Sequence, residues 1–588
     1  MATNAAVAPG DSSAGVPKWV YALAIGVPVT AALAYILFGP GEDGKKKKKP
    51  EAVSSSSSTP VKKDKVTIED VEEVPTDPLE RAVAAKNRGN KYFRGGKYEQ
   101  AIKCYTEAIE TCPVEKQMEL STFYQNRAAA YDQLEDLDNV MTDCNSALNL
   151  NNKYVKALDR RAKTLRKQAM KIEDFQIQVD KLKQCVEDIT SVCLLEGFQK
   201  QEHLVMVDQV LRELGRAEAA LASKQRDPVL TSKHFITQYF SSFSNDPILH
   251  PVGQDEENNE NETGDSTSHG YIRAKKLFNE KKYNDIIEEC SKEIDSNGEH
   301  SHKARLLRGT FYILMKLQSK AMEDFSCLVE DPLTDVKVKV NALIKRASLY
   351  IQQCKDPKKD PELSFADFAL AAELDPENAD IYHHRGQVHL LIDDINKAIV
   401  DFNRSVSLNP TFTIAYAQKL FTDYRAASMI GDSSKVNQIL SEFEKTIEKF
   451  PDCVETYALS AQVLNDQQEF ARADELYKKA MTKDPQNANL LVHRGLLALQ
   501  STGDVESAVK LMQEAVDLDE KCEFAYETLG TIEVQRGNLR KAIELFDKAI
   551  PLANTELEMA HLFGLRDASM AQITVSAKFG ITLPVMGV

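Results

Sequence analysis

Five long polar side chains stand out for the chemistry they could do together: Lys86, Asn90, Asn126, Lys156 and Arg160. Three are cations, two are amides, and none is acidic. Gathered on one surface they would hold carboxylates, with the cations as point or forked charges and the amides as directed donors. A solvated basic helix face is the plain alternative. A lone Lys-x-x-x-Asn means nothing, so the reading requires all five in one register.

That register comes from Lys86–Pro113, KNRGNKYFRGGKYEQAIKCYTEAIETCP. Its landmarks Gly89, Tyr92, Ala101, Tyr105, Ala108 and Pro113 are spaced by 3, 9, 4, 3 and 5 residues. Two short antiparallel helices satisfy this spacing, with small residues at the crossing, aromatics in the gap and a proline closing the second helix. Gly386, His389, Ala398, Phe402, Ser405 and Pro410 repeat the steps, as do Ala461, Leu464, Ala473, Tyr477, Ala480 and Pro485. Pro376 to Pro410 and Pro451 to Pro485 each span 34 residues, while the longer interval from Pro410 to Pro451 marks an insertion. This resembles the tetratricopeptide repeat (TPR). The resemblance implies an all-α TPR superhelical solenoid of about eleven helical hairpins.

In TPR arrays, positions 2, 5, 6 and 9 of each first helix face the concave groove, counting the Gly/Ala landmark as position 8. The five donors fall on such positions in the first three repeats. They resemble the dicarboxylate clamp of chaperone-binding TPR domains, which hold the C-terminal Glu-Glu-Val-Asp tail of Hsp70 and Hsp90. The resemblance implies that Lys86, Asn90 and Asn126 grip the terminal main-chain carboxylate. Lys156 and Arg160 would then engage the terminal Asp side chain and nearby backbone.

At 588 residues the chain is too long for one compact core, a limit that repeats avoid by packing only on their neighbours. The net charge, 73 − 89 = −16, argues against nucleic acid as the main partner. Ten cysteines are scattered without a CxxC, which suggests small core residues in a reducing compartment and no zinc site or disulfide framework.

In chain order, 1–18 reads as a short tail without a cleavable presequence pattern. Trp19–Phe38 contains no charge and would be about 30 Å long as a helix, so a single N-terminal transmembrane anchor is expected over 19–38. Trp19, Tyr21 and Tyr35 suit its interfaces. A secretory signal peptide is the rival, weakened by the length of the run and the basic charge downstream. Lys45–Lys49 puts the C-terminal bulk in the cytosol and the N-terminus across the membrane. A short anchor followed by lysines suits the mitochondrial outer membrane, and the endoplasmic reticulum satisfies the same physics. The Pro- and Ser-rich stretch 39–80 reads as a disordered tether.

Three repeats are expected over 82–195, the third with a degraded second helix near Lys181–Val192. A helical connector and the acidic loop Gly253–Gly270 follow over 196–270. Eight repeats and a capping helix are expected over 271–588. This second array lacks the five-donor pattern. Its groove positions include His383, His384, Gln387, Phe421, Glu455, Leu459, Gln462, His493 and Glu527. Such a mixture suits an amphipathic, weakly basic peptide. Metal binding by His383, His384 and His389 is the sharper option. Adjacent histidines point about 100° apart on a helix, so ordinary surface histidines are preferred and no metal is expected. No P-loop, GxSxG, HExxH or kinase set occurs, and no cofactor or enzyme activity is expected.

Taken with KNRGNKYFRGGKYEQAIKCY, the stretches DPVLTSKHFITQYFSSF (Asp227–Phe243) and FAYETLGTIEVQRGNLRKAIELF (Phe524–Phe546) resemble the seventy-kilodalton TPR import receptors of the mitochondrial outer-membrane translocase, in their animal form. The resemblance implies a receptor for preproteins with internal targeting signals, notably metabolite carriers. Its partners would be Hsp70 and Hsp90 tails, those preproteins and other translocase subunits. The alternatives are a co-chaperone scaffold on the endoplasmic reticulum without a preprotein site, and a TPR-regulated enzyme, for which no catalytic residues are seen.

Overall fold

The structure, a computed structural model, describes residues 77–250, 269–353 and 361–581. The expected anchor, nearly all of the tether and the centre of the acidic loop lie outside the described residues. Among those described, no helix is long and apolar enough to cross a membrane.

The described residues form twenty-five α-helices and no strand. Three pairs come first: α1 (Pro78–Arg94) with α2 (Tyr98–Thr111), α3 (Gln117–Gln133) with α4 (Leu137–Leu150), and α5 (Val155–Ala169) with α6 (Phe175–Leu195). Two further helices, α7 (Gln201–Gln225) and α8 (Lys233–Ser241), have no hairpin partner. Eight more pairs follow. They are α9 (Tyr271–Asn279) with α10 (Ile286–Asp295), α11 (Ser301–Leu314) with α12 (Gln318–Glu330), α13 (Val336–Gln353) with α14 (Glu362–Leu374), and α15 (Ala379–Leu391) with α16 (Ile395–Leu408). The others are α17 (Thr413–Met429) with α18 (Ser433–Lys449), α19 (Val454–Asp466) with α20 (Phe470–Lys483), α21 (Ala488–Thr502) with α22 (Val505–Leu518), and α23 (Glu523–Gln535) with α24 (Leu539–Ala549). A final helix, α25, spans Glu556–Phe579. The interval between Pro410 and Pro451 is absorbed as extra helical turn, since α17 and α18 are 17 residues each where α15 and α16 have 13 and 14.

The chain divides into two compact units. The first holds residues up to Leu221 together with 567–581, and in its core Ala571, Val575 and Phe579 of α25 pack with Leu182, Val186 and Val210. The second runs from Ala222 to Arg566.

Three local devices recur along the pairs. The first is the crossing contact. A Cβ on Gly89 would lie 2.6 Å from the Tyr105 ring, and Gly386 meets Phe402, Gly309 meets Phe325 and Gly530 meets Phe546 in the same way. Little room remains between the landmark Cα and the ring, which is why small and aromatic landmarks travel together. The second is the turn between paired helices. The N–H of Lys97 bonds to the Tyr92 carbonyl, Asp136 to Tyr131, Asp394 to His389 and Glu469 to Leu464, the long bond of a Schellman cap. The residue before each donor has positive φ: Gly96, Glu135, Asp393 and Gln468. The third is an ion pair across the hairpin. The arginine just before the small landmark forks onto an aspartate of the second helix, as in Arg127–Asp143, Arg308–Asp324 and Arg385–Asp401.

Candidate functional site

The five predicted donors stand on the first helices of three consecutive pairs: Lys86 and Asn90 on α1, Asn126 on α3, and Lys156 and Arg160 on α5. Asp77 caps α1 through the Glu80 N–H, with Pro78 in its first turn, so that helix is fixed from its first residue. Ala82, Ala85 and Gly89 are its buried face, and Lys86 and Asn90 stand off that face, partly exposed.

Asn90 is oriented by a landmark residue. The Tyr105 hydroxyl donates to Asn90 Oδ1 at 2.8 Å, which leaves the amide NH2 as the group available to a ligand. Burial pushes the Tyr105 phenol up to about 12, so it remains a donor at neutral pH. Among the described residues Lys86, Asn126 and Lys156 enter no ion pair or side-chain hydrogen bond. Arg160 is lightly engaged, with Nε 3.6 Å from Asp132 Oδ2 and Nη1 donating to the Gln125 carbonyl at 3.5 Å. Asp132 also takes Lys167 at 3.2 Å. Sequence register does not single out Asp132, whose importance comes from lying on the neighbouring first helix, α3, within reach of Arg160 on α5.

The nine residues expected in the second groove separate into different settings. Glu455, Leu459, Gln462 and His493 line a cavity of about 450 Å³ within the second unit. Its walls come from α19, α21 and α23 on one side, and from residues 229–232 and α8 on the other. Five acids line it (Asp452, Glu455, Asp484, Asp519 and Glu523) against two lysines, Lys316 and Lys521. Burial pushes Glu523 well above the usual carboxylate range, with repulsion from Glu527 and Glu558 adding to it. Lys316 is pulled down to about 7, mainly by burial, and donates to the Leu552 carbonyl. His493 stacks on Tyr477 with ring centroids 5.7 Å apart, and burial lowers it to about 4, so it is neutral at pH 7.

His383, His384, Gln387 and Phe421 are not in that cavity. All four are buried, none more than 3% exposed. Glu527 lies outside the cavity lining, 3.2 Å from His561. The expectation of surface histidines is corrected here: His383, His384 and His389 are all interior. His384 lies against Phe243, centroids 4.3 Å apart, and His389 stacks on Phe365. His383 is covered by Phe402 and Phe412, and for His384 the connector is the reason. Its residues 244 and 245 donate their N–H groups to the Asp380 carboxylate on α15, so the chain itself covers the helix face that register assigns to the groove. Among the described residues no cluster of His, Cys, Asp or Glu is arranged to hold a metal.

Of the described cysteines none forms a disulfide, and Cys112, Cys144, Cys185, Cys193, Cys290 and Cys522 are buried. Burial pushes the Cys144 and Cys185 thiols up to about 12, which removes them as nucleophiles.

Family models described as tetratricopeptide repeat match residues 82–113, 379–412, 459–523 and 494–556. The human mitochondrial import receptor subunit TOM70 is 44% identical over 590 residues, covering 97% of this chain and 94% of that protein. The mouse protein of the same name is 48% identical over 514 residues, covering 86% and 82%. A crystal structure of yeast Tom70 covers 86% of this chain and 99% of its own, at 22% identity and a TM-score of 0.46. With near-full-length relatives at this identity and the repeat fold in hand, the chain belongs to the TOM70 family of mitochondrial import receptor subunits.

Proposed function

We propose that the chain is a preprotein receptor of the mitochondrial outer membrane with two separate docking sites and no catalytic role. The first unit takes the acidic C-terminal tail of Hsp70 or Hsp90 on Lys86, Asn90, Asn126, Lys156 and Arg160. The second takes an internal targeting segment of a hydrophobic preprotein, such as a metabolite carrier, in the acidic cavity. Residues 19–38 anchor the chain once through the membrane, with the N-terminus in the intermembrane space and the array in the cytosol. Client is then concentrated near the other translocase subunits and handed to the pore.

The observation that carries the chaperone half is the Tyr105–Asn90 bond beside Lys86 and Lys156, which have no internal anion among the described residues. Cations left without partners, next to an amide fixed in its donor orientation, are prepared for an external carboxylate. The client half rests on the cavity, where four acids besides the upshifted Glu523 face two lysines and so favour a basic peptide.

Cross-linking of a carrier preprotein on isolated mitochondria tests the whole. Excess tail peptide should reduce delivery from chaperone but leave cross-links formed by chaperone-free client. Glu455→Arg should weaken client binding without affecting tail binding. Carrier cross-links that ignore both perturbations would remove the proposal.

A further inference from the structure

The cavity in the second unit is not an empty groove. One wall is a stretch of the same chain, and it has the composition of a ligand. Between α7 and α8, Asp227-Pro-Val-Leu-Thr-Ser-Lys-His234 runs without regular structure until α8 begins at Lys233. Pro228 cannot donate to a helix ladder and disfavours helix in the residue before it, so an extended course is built into the sequence. Val229, Leu230 and His234 line the cavity.

Attachment is uneven along this stretch. Downstream it is welded in place. Ile236, Tyr239 and Phe240 are 1–3% exposed, and buried Asp246 pairs with buried Lys345 at 2.8 Å. Upstream, Arg226 donates to the Ala553 carbonyl at 2.6 Å. Between these anchors the hold is narrower: Leu230 packs against the edge of the unit's core, and few polar bonds fasten the segment. The Thr231 N–H reaches the Leu314 carbonyl at 3.2 Å, and Lys521 Nζ reaches the Leu230 carbonyl at 2.7 Å. His234 Nε2 lies 3.3 Å from Asp484 Oδ2 but makes no hydrogen bond. Asp227 and Pro228 are exposed, and Val229 and Leu230 are only half-buried.

We propose that residues 227–234 are a displaceable internal ligand of the client cavity, and that their chemistry specifies the client. The preferred client would be a peptide with two adjacent aliphatic residues in extended backbone and a Lys or Arg four positions after the second, in the first turn of a helix, as Val229, Leu230 and His234 are here. The aliphatic pair takes the place of Val229 and Leu230, the client carbonyl takes Lys521, and the basic side chain takes Asp484. A permanently charged ammonium or guanidinium is a better partner for that carboxylate than a poorly aligned imidazole. The two anchors let the middle of the segment peel away without unfolding the unit. The proposal deepens the client half of the function above and rests on that reading.

The test uses the full chain in detergent and two labelled probes. One is an eleven-residue peptide copying Asp227–Thr237 with arginine at the His234 position. The other is a carrier targeting segment. His234→Ala loosens the internal segment and should tighten binding of both probes by roughly 2- to 5-fold, the worth of a weak ion pair, because apparent affinity is reduced by the fraction of closed cavity. Leu230→Ser should do the same by a different route. Asp484→Asn should abolish the advantage of the arginine probe over its alanine counterpart. Tryptic cleavage after Lys233 should accelerate when either probe is bound. Unchanged or weaker binding in both loosened variants, with helicity retained, would overturn the proposal, as would cleavage that ignores the probes. If the carrier segment binds, responds to Glu455→Arg, and is not competed by the copied peptide, the internal-ligand idea fails while the receptor reading stands. If the carrier segment does not bind even the loosened variants, the receptor reading itself fails.

Discussion

Arg160→Ala is the sharpest perturbation of the first unit, because the structure supplies both its size and its control. Arg160 has a side chain 23% exposed and meets Asp132 only at 3.6 Å, so its loss should barely affect folding. A ligand carboxylate would meet the same guanidinium at hydrogen-bond distance, and such a charge-assisted bond is worth roughly 1.5–3 kcal/mol net. Tail-peptide affinity should therefore fall roughly 10- to 150-fold at 1.4 kcal/mol per decade. Asp132 competes for the same group and for Lys167, so Asp132→Asn should tighten the tail by up to about 5-fold, the worth of a surface pair. In the Arg160→Ala background that gain should shrink to the part carried by Lys167. Titration of a labelled Glu-Glu-Val-Asp peptide by fluorescence anisotropy, at two salt concentrations, measures all three variants. An Arg160→Ala affinity within twofold of the parent would remove Arg160 from the site. Loss of binding accompanied by a large drop in melting temperature would show that the residue is structural.

Three further outcomes follow from geometry given above. Tyr105→Phe leaves the ring against Gly89 but frees the Asn90 amide to rotate, so tail affinity should drop by about the worth of one neutral hydrogen bond, roughly 0.5–1.5 kcal/mol, in the same anisotropy assay. Lys345→Ala strands Asp246 in the interior and should destabilise the second unit by roughly 3–5 kcal/mol in urea unfolding. Most of that loss should return in Lys345→Met with Asp246→Asn. For pH, burial lowers His384 from 6.5 to about 4. The folded state therefore binds fewer protons than the unfolded, and this contribution is complete above pH 6.5 and lost as pH falls toward 4, by roughly 3 kcal/mol at about 1.4 kcal/mol per pKa unit. His384→Gln should flatten that acid limb in thermal melts.

The repeat fold was legible because its landmarks are steric necessities. Gly89 and Gly386 meet rings 16 residues on, and only small residues suit those crossings, so the period is written directly in the chain. The second helix of the third pair was located only in part, since α6 lacks the aromatic landmark and runs 21 residues, from Phe175 to Leu195. The hairpin ion pairs emerge only from the structure, although they keep register: an arginine precedes the small landmark at Ala128, Ala162, Gly309, Ala347 and Gly386. For the second groove, register predicts which face of α15 points inward but not what covers it. His384 lies under Phe243, 141 positions earlier in the chain, and no local pattern records a contact of that separation. Glu455, Leu459, Gln462 and His493, assigned by the same register, line a cavity because no covering segment seals that stretch completely.

The hairpin turns have a consequence for how hard this molecule could be made. Glu135, Asp393 and Gln468 hold a left-handed backbone that costs a side-chain-bearing residue about 1–2 kcal/mol, while Gly96 at the equivalent turn does not bear that cost. Each pair touches chiefly its neighbours, so strain at one turn does not propagate to the next. The array thus keeps an untapped thermostability reserve in separate parcels. Glycine placed at these three turns would draw on it additively, less the extra freedom glycine gives the unfolded chain.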